Sequence, residues 1–282
     1  MRIHHLSCGS LCPHGARLIN GEGGLLAPAK IVCHCLLIET SDGLVLVDTG
    51  FGSDDARNPG QLGAAFRALM RPRPTLGDTA MTQVEARGFS AEDVRHIVTT
   101  HLDLDHAGGL PDFPDAEVHV FAPELEAALH PILRERTRYV GGAHWSHSPR
   151  WVEHGAGGER WFGFESVRIL PGIDAEVLLV PLVGHSRGHT GVAIDTGDGW
   201  LLHCGDAYFN RGETATPPSC PPMLSFFQSL TASDNKARKA NQERLRELAA
   251  TQGERVSLFC AHDPRELERT QAASAAVAAA TG

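Results

Sequence analysis

The sequence predicts an α/β protein in which two mixed β-sheets pack together and are covered by helices. Three observations carry this. Strand-like and helix-like runs mix through both halves of the chain, with hairpins among them. Five strands end in polar tips, at Asp48, at His101 to His106, at His185, at Asp206 and at His262. The 282 residues are 42% hydrophobic and 21% charged, which suffices for a full core and for a single domain over residues 1–282. Strand tips of this kind gather at one edge of a layered sandwich.

Residues 1–8 read as an opening strand, and 9–30 as a glycine-rich irregular stretch able to fold over a site mouth. Ile31 to Glu39 and Leu44 to Asp48 read as a hairpin about Ser41-Asp42-Gly43. Residues 53–78, with three prolines, read as a short helix and a loop. Thr79 to Arg87 reads as a helix stopped by Gly88, and Ser90-Ala91-Glu92-Asp93 has the form of a capping box. Glu117 to Phe121 is a strand and Pro123 to Arg138 a helix. Residues 139–164 hold three of the four tryptophans, with His144, His147 and His154 among glycines, and are expected to border a pocket. Glu176 to Leu182 is a strand, and Gly191 to Asp195 pairs with Trp200 to Cys204 as a hairpin. Residues 212–230 read as a proline-rich loop, also at the pocket. Asp234 to Gln252 is an amphipathic helix stopped by Gly253, Val256 to Cys260 a last strand, and Gln271 to Ala280 a terminal helix.

The segment His96-Ile97-Val98-Thr99-Thr100-His101-Leu102-Asp103-Leu104-Asp105-His106-Ala107-Gly108-Gly109 organises the rest. A β-branched run breaks into four metal-capable side chains: His101, Asp103, Asp105 and His106. Leu102 and Leu104 alternate with them, which puts His101, Asp103 and Asp105 on one side of an extended chain. Two carboxylates and two imidazoles among apolar residues are costly unless a cation neutralises them. The alternative is a solvated loop without metal. Asp48 reads as a residue that orients ligands rather than one that binds the ion.

The net charge of −9 argues against nucleic acid as a partner. His4, His5, His34, His96, His119, His130 and His203 lie in or beside regular runs and read as surface or satisfied core residues. Seven cysteines without disulfide-scaffold or zinc-ribbon spacing point to reduced thiols and a cytoplasmic protein. No signal peptide and no apolar run of membrane-spanning length is evident, so no membrane partner is expected. A homodimer is left open.

These residues resemble the metallo-β-lactamase fold superfamily. Its signature, Thr-His-x-His-x-Asp-His followed by a Gly-His, an Asp and a final His, is matched by Thr100-His101-Leu102-Asp103-Leu104-Asp105-His106, Gly184-His185, Asp206 and His262. The resemblance covers nearly the whole chain and implies the αββα fold. It implies two divalent metal ions, Zn²⁺ first, with Mn²⁺ or Fe²⁺ as alternatives. One would sit on His101, Asp103 and His185, the other on Asp105, His106 and His262, with Asp206 bridging. Asp103 stands where the family usually has His. His189 matches a second His often found after the ligand and reads as structural. Within the superfamily the chain looks most like the quorum-quenching N-acyl homoserine lactonases. Those carry a catalytic Tyr three residues after the bridging Asp. Here that position is Phe209, and Tyr208 is the nearest candidate for the role.

The reading that follows is a dinuclear hydrolase that opens a lactone or another carboxylic ester through a metal-bridging hydroxide, with Asp105 shuttling a proton. Two divalent cations, three carboxylates and one hydroxide sum to zero charge, whereas His at position 103 would leave +1. A less positive centre favours a neutral small-molecule ester or lactone over a phosphate. Two alternatives remain. A glyoxalase-like thioester hydrolase usually has a basic helical C-terminal region, but only 20 residues follow His262, with two Arg and no Lys. A non-catalytic metal-binding sensor on the same fold is the other, although all seven ligand positions hold competent side chains.

Overall fold

The computed structural model describes all residues except 171, 172, 175 and 282. Twelve strands are described: β1 Arg2–Leu11, β2 Ile31–Thr40, β3 Gly43–Val47, β4 Val94–Val98, β5 Glu117–Phe121, β6 Arg150–His154, β7 Glu159–Trp161, β8 Phe164–Ile169, β9 Val177–Pro181, β10 Thr190–Asp195, β11 Trp200–His203 and β12 Val256–Phe259. They form two six-stranded sheets, in the order β1-β2-β3-β4-β5-β6 and β12-β11-β10-β9-β8-β7. The first is antiparallel from β1 to β3 and parallel from β3 to β6. In the second, only the β11–β12 pair is parallel. Both sheets are thus mixed, as expected.

The alternation of side chains sorts the core into layers. Leu36, Ile38, Val45, Val47 and Val98 of the first sheet meet Val177, Leu179, Val192, Ile194 and Phe259 of the second. On the outer face of the first sheet, Leu37, Leu46, Ile97, Val118 and Val120 pack with Ala80 and Val84 of helix Ala80–Glu85 and Leu125 of helix Ala122–Leu129. On the outer face of the second, Leu178, Val180, Ala193 and Leu202 pack with Leu245 and Leu248 of helix Asn235–Gln252. The layers run helix, sheet, sheet, helix. Burying each such Leu or Val contributes about 1.5–3 kcal/mol, so the layers are held chiefly by these faces.

Several local expectations change. The helix expected to reach Arg138 ends at Leu129, because His130 precedes Pro131 and the residue before proline avoids helical geometry. Residues 53–78 contain two helices, Ser53–Arg57 and Ala64–Met70. The proline-rich 212–230 stretch contains helix Pro222–Thr231, because proline is tolerated in a first helical turn. The terminal helix starts at Pro264 rather than Gln271, with the Asp263 carboxylate accepting from Arg265 N at 2.8 Å. Residues 139–164 supply β6 and β7.

Candidate metal centre

Strands β3, β4, β9, β11 and β12 deliver Asp48, the His101–His106 segment, His185, Asp206 and His262 to one place. Two turns require glycine. Gly184, with φ +135, lies against the backbone of Arg238. Gly205 has φ +52, and a Cβ there would come within 2.6 Å of His189 Nε2.

The side chains form two triads, His101/His185/Asp206 and Asp105/His106/His262, whose donor atoms lie within 4.8 Å of one another in each. Asp206 faces both. Its Oδ2 is 3.8 Å from His101 Nε2 and 3.4 Å from His185 Nε2. Its Oδ1 is 3.3 Å from His106 Nε2, and His262 Nε2 lies 3.1 Å from both oxygens. Asp103 Oδ2 completes the first group, 3.1 Å from His185 Nε2 and 3.4 Å from His101 Nε2. Asp105 Oδ2 is 3.7 Å from His262 Nε2. All seven predicted ligand residues converge.

The outer ring nitrogens are held from behind. His106 Nδ1 donates to Asp48 Oδ2 at 2.8 Å, and His262 Nδ1 to the Val32 carbonyl at 2.8 Å. Asp48 also accepts from Thr100 N and Oγ1, at 2.8 and 2.7 Å. It thus holds His106 and the start of the His101–His106 segment in place. His189 donates to Leu182 O and accepts from Asp206 N, so both its nitrogens are used and it fixes Asp206.

This donor set fits cations. Among the described residues, the buried atoms His101 Nε2, His106 Nε2 and Asp206 Oδ1 have no hydrogen-bond partner, and all three point at the shared space. Buried polar atoms are rarely left so without an ion or water to satisfy them. The electrostatics agree. Burial pushes the imidazoles of His106 and His262 down, yet Asp206 together with Asp48 at His106 and with Asp105 at His262 raises both. Burial likewise pushes Asp206 up, but His262, His106 and His185 hold it well below the carboxylate range. The pocket draws in positive charge.

Two residues escaped the sequence reading. Arg138, its side chain 9% exposed, places Nε 3.4 Å from Asp103 Oδ1. It also donates to His185 O at 3.1 Å and to Thr231 O at 2.9 Å. Burial pushes the Asp103 carboxyl up, but Arg138 and then His101 hold it well below its ordinary range. This guanidinium adds one positive charge to the three carboxylates' surroundings. With it, a centre holding two divalent ions and a hydroxide would carry +1, the same as with His at position 103 and no arginine. Glu124, fully buried, accepts from Leu102 N, Tyr139 OH, Ser186 Oγ and Gly188 N, at 3.0, 3.2, 2.6 and 3.0 Å. It ties the His101–His106 loop to the His185 loop. Neither residue lies in a motif, and no local sequence signal marks either.

Tyr208 does not join the site. Its side chain is fully buried in the outer core of the second sheet, and its hydroxyl donates to Glu266 Oε1 and Oε2 at 3.1 and 3.2 Å. Burial, then the Glu266 charge, raises its phenol far above the usual value. The adjacent Phe209 faces the ligands, with ring centres 4.7 Å from His262 and 5.8 Å from His185. The catalytic role expected for Tyr208 is therefore corrected: neighbouring side chains after Asp206 point opposite ways, and Tyr208 takes the core side.

Beside the triads lies a cavity of about 360 Å³. Asp103, Asp105, His185, Asp206 and His262 form its polar end. Leu11, Ile31, Phe66, Met70, Phe209 and Phe227 line its apolar wall. Of the two segments expected at the pocket, 212–230 contributes Phe227 and Leu230 to the lining. The 139–164 segment contributes no lining residue; residues 134, 135, 137 and 138 do. Trp145 and Trp151 pack instead on the outer core of the first sheet.

No helix among the described residues is long and apolar enough to cross a membrane. The family model of the metallo-β-lactamase superfamily matches residues 30–258. A probable metallo-hydrolase of Mycobacterium tuberculosis is 44% identical over 265 residues, covering 94% of this chain and 81% of that protein. An N-acyl homoserine lactonase of Bacillus thuringiensis is 30% identical over 175 residues, 61% of this chain and 62% of the lactonase. Among solved structures, an N-acyl homoserine lactone hydrolase with N-hexanoyl-L-homoserine bound at its catalytic metal centre superposes with a TM-score of 0.71. That match has 22% identity and covers 95% of each chain, which speaks to the fold. A family match over most of the chain, joined to the layered fold, means that this chain belongs to the metallo-β-lactamase superfamily and sits among its metallo-hydrolases.

Proposed function

We propose that the chain is a dinuclear metal-dependent hydrolase of lactones or other carboxylic esters that carry an apolar group. The observation that carries this is Asp206, whose carboxylate stands between the two triads, Oδ2 toward His101 and His185, Oδ1 toward His106, and both oxygens within 3.1 Å of His262 Nε2. His101, Asp103 and His185 would hold one ion and Asp105, His106 and His262 the other, with Asp206 shared. Zn²⁺ suits the four imidazoles, and the carboxylates leave Mn²⁺ or Fe²⁺ as alternatives. When bound, such a pair supplies a nucleophile from water near neutral pH and polarises a carbonyl oxygen.

The chain's own residues do the rest. Asp105 lines the cavity and is 9% exposed, and would pass a proton to the leaving oxygen. Phe209 contributes a wall against the ligand imidazoles and has no proton to give. The apolar wall favours a substrate with an alkyl or acyl portion, and Leu69 and Leu230, 66% and 72% exposed, extend it to the rim. Arg138 spends its donors on Asp103 and two backbone carbonyls, which leaves it poorly placed to bind a phosphate. Its seven free thiols fit a reducing cytoplasm.

The test is a panel of lactones, aryl esters, thioesters and phosphodiesters, assayed with Zn²⁺, Mn²⁺ and Fe²⁺ in turn. Turnover of lactones or esters, rising with acyl length, is the expected outcome. Turnover of phosphodiesters alone, or of none of the panel by metal-loaded protein, would overturn the reading.

A further inference from the structure

A second group of metal-capable side chains lies on the first sheet, away from the strand tips. His96 of β4 stands in register with Glu117 of β5, and His119 follows two residues later on the same face. Their neighbours Ile97, Val118 and Val120 point into the outer core, so all three project from the opposite, inter-sheet face. His96 lies five positions before His101, up to roughly 16 Å along the chain.

The donor atoms converge. His96 Nδ1 lies 3.1 Å from His119 Nε2 and 3.6 Å from Glu117 Oε2, and the three residues' donors all fall within 4.8 Å of one another. Zinc bonds of about 2.0–2.1 Å in a tetrahedral array put ligand atoms about 3.3 Å apart, so this spacing needs little adjustment. The ring behind is braced: His119 Nδ1 is 2.9 Å from His154 Nε2 on β6. A ligating imidazole commonly donates its other N–H to such a partner. Arg150 binds Glu117 Oε1 at 3.1 Å and leaves Oε2 toward His96.

The imidazoles are in the right state. Burial lowers all three, His119 to about 3 with help from His96 and His154, so they are neutral and carry lone pairs at neutral pH. Access remains open on one side, with the side chains of His96 and Glu117 17% and 37% exposed. A fourth position is left for water.

We propose that His96, Glu117 and His119 form a separate site for a divalent transition ion of the zinc type, pinning β4 to β5, with His154 bracing His119. A chain of histidines joined only by hydrogen bonds is the competing account. It requires one of the two facing nitrogens, His96 Nδ1 or His119 Nε2, to keep its proton; the metal site requires both to lose it.

The test is Zn²⁺ binding to the full chain by equilibrium dialysis, followed by elemental analysis. Wild type, His96→Gln and Glu117→Gln are compared at Zn²⁺ concentrations that saturate the strand-tip site. Glu117→Gln keeps the side chain's shape on an exposed position and guards against a folding failure in the other variant. Each variant is expected to hold one ion fewer than wild type and to lose the zinc-dependent rise in melting temperature that this ion causes. Equal ion counts in wild type and both variants would overturn the site.

Discussion

The two halves of the strand-tip centre use the same residue types but meet different surroundings. Around His106 and His262, the supports are the Asp48 carboxylate and the Val32 carbonyl. No arginine is bonded there among the described residues, and the pull of Asp206 raises both imidazoles. Around Asp103 and His185, Arg138 already supplies a positive charge. Burial, then Arg138, lowers His185 to about 4 despite the nearby carboxylates. One half is electrostatically incomplete without a cation, and the other carries part of its own compensation. The difference teaches that the Asp105/His106/His262 ion should be held more tightly, and that the Asp103 side should release its ion first under chelation.

The largest effect is expected where the halves join. Asp206→Ala removes the one carboxylate that faces both, and should lower kcat/KM by about 10³-fold or more, the scale of losing a principal electrostatic element. Metal analysis should show less than two ions per chain. Two tightly held ions in that variant would break the comparison, because the halves would then not share Asp206.

A smaller and more selective effect is expected from Arg138. Arg138→Met removes the positive charge that already offsets Asp103, so the ion on that side should be released less readily by chelator, while the other ion is unchanged. Asp103→His alone leaves a buried guanidinium without its carboxylate, and removing one partner of a buried pair costs about 3–5 kcal/mol. The double variant Asp103→His with Arg138→Met restores the +1 charge and should recover both stability and two-metal content, with a preference moved from Mn²⁺ toward Zn²⁺. Thermal melts and metal content of the two single variants and the double variant decide this. Full stability of Asp103→His alone would mean that Arg138 is not the counter-charge.

These pairs mark where sequence reasoning stopped. The convergence of these His and Asp side chains was legible because a β-branched strand, a polar tip and glycines are contiguous, and because the later ones each follow a strand in the expected order. The sheets were legible because apolar runs of strand length recur between turn residues. Arg138 was not, since it reaches Asp103 from a segment 35 positions away whose local pattern continued a helix. Glu124 was not, because a carboxylate in a helix ordinarily faces water, and only the folded loops supply the four donors that bury it. The pocket wall was misplaced for a related reason. Helices Ala64–Met70 and Pro222–Thr231 sit in segments whose prolines suggested loops, while the tryptophan-rich stretch was needed by the outer core. The direction of Tyr208 against Phe209 depends on the turn begun at Gly205, which a linear reading cannot orient.

The smallest effect concerns Tyr208 and Glu266, which bond to each other, Glu266 also accepting from Cys260 N, in the chain segments that carry Asp206 and His262. Tyr208→Phe should change kcat/KM by less than about twofold, whereas removing a true general acid costs about 10²–10⁴-fold. The consequence should instead appear in stability and its pH dependence. Burial raises Glu266 from the ordinary 4.5 to about 7, even though Cys260 N, at 2.7 Å, and Tyr208 OH both donate to it. A carboxyl raised in the folded state contributes stability that is fully present below 4.5 and is lost as pH climbs through about 7. The interval corresponds to roughly 3 kcal/mol at most. Glu266→Gln has no charge to bury, but it sets an amide where a backbone N–H expects an oxygen. It should therefore be less stable than wild type near about pH 5 and should gain on wild type up to about pH 8. Urea melts of both proteins at the two pH values measure the change. A stability difference that stays constant with pH would show that Glu266 does not titrate in this window, and that the segment carrying His262 holds a permanently charged carboxylate.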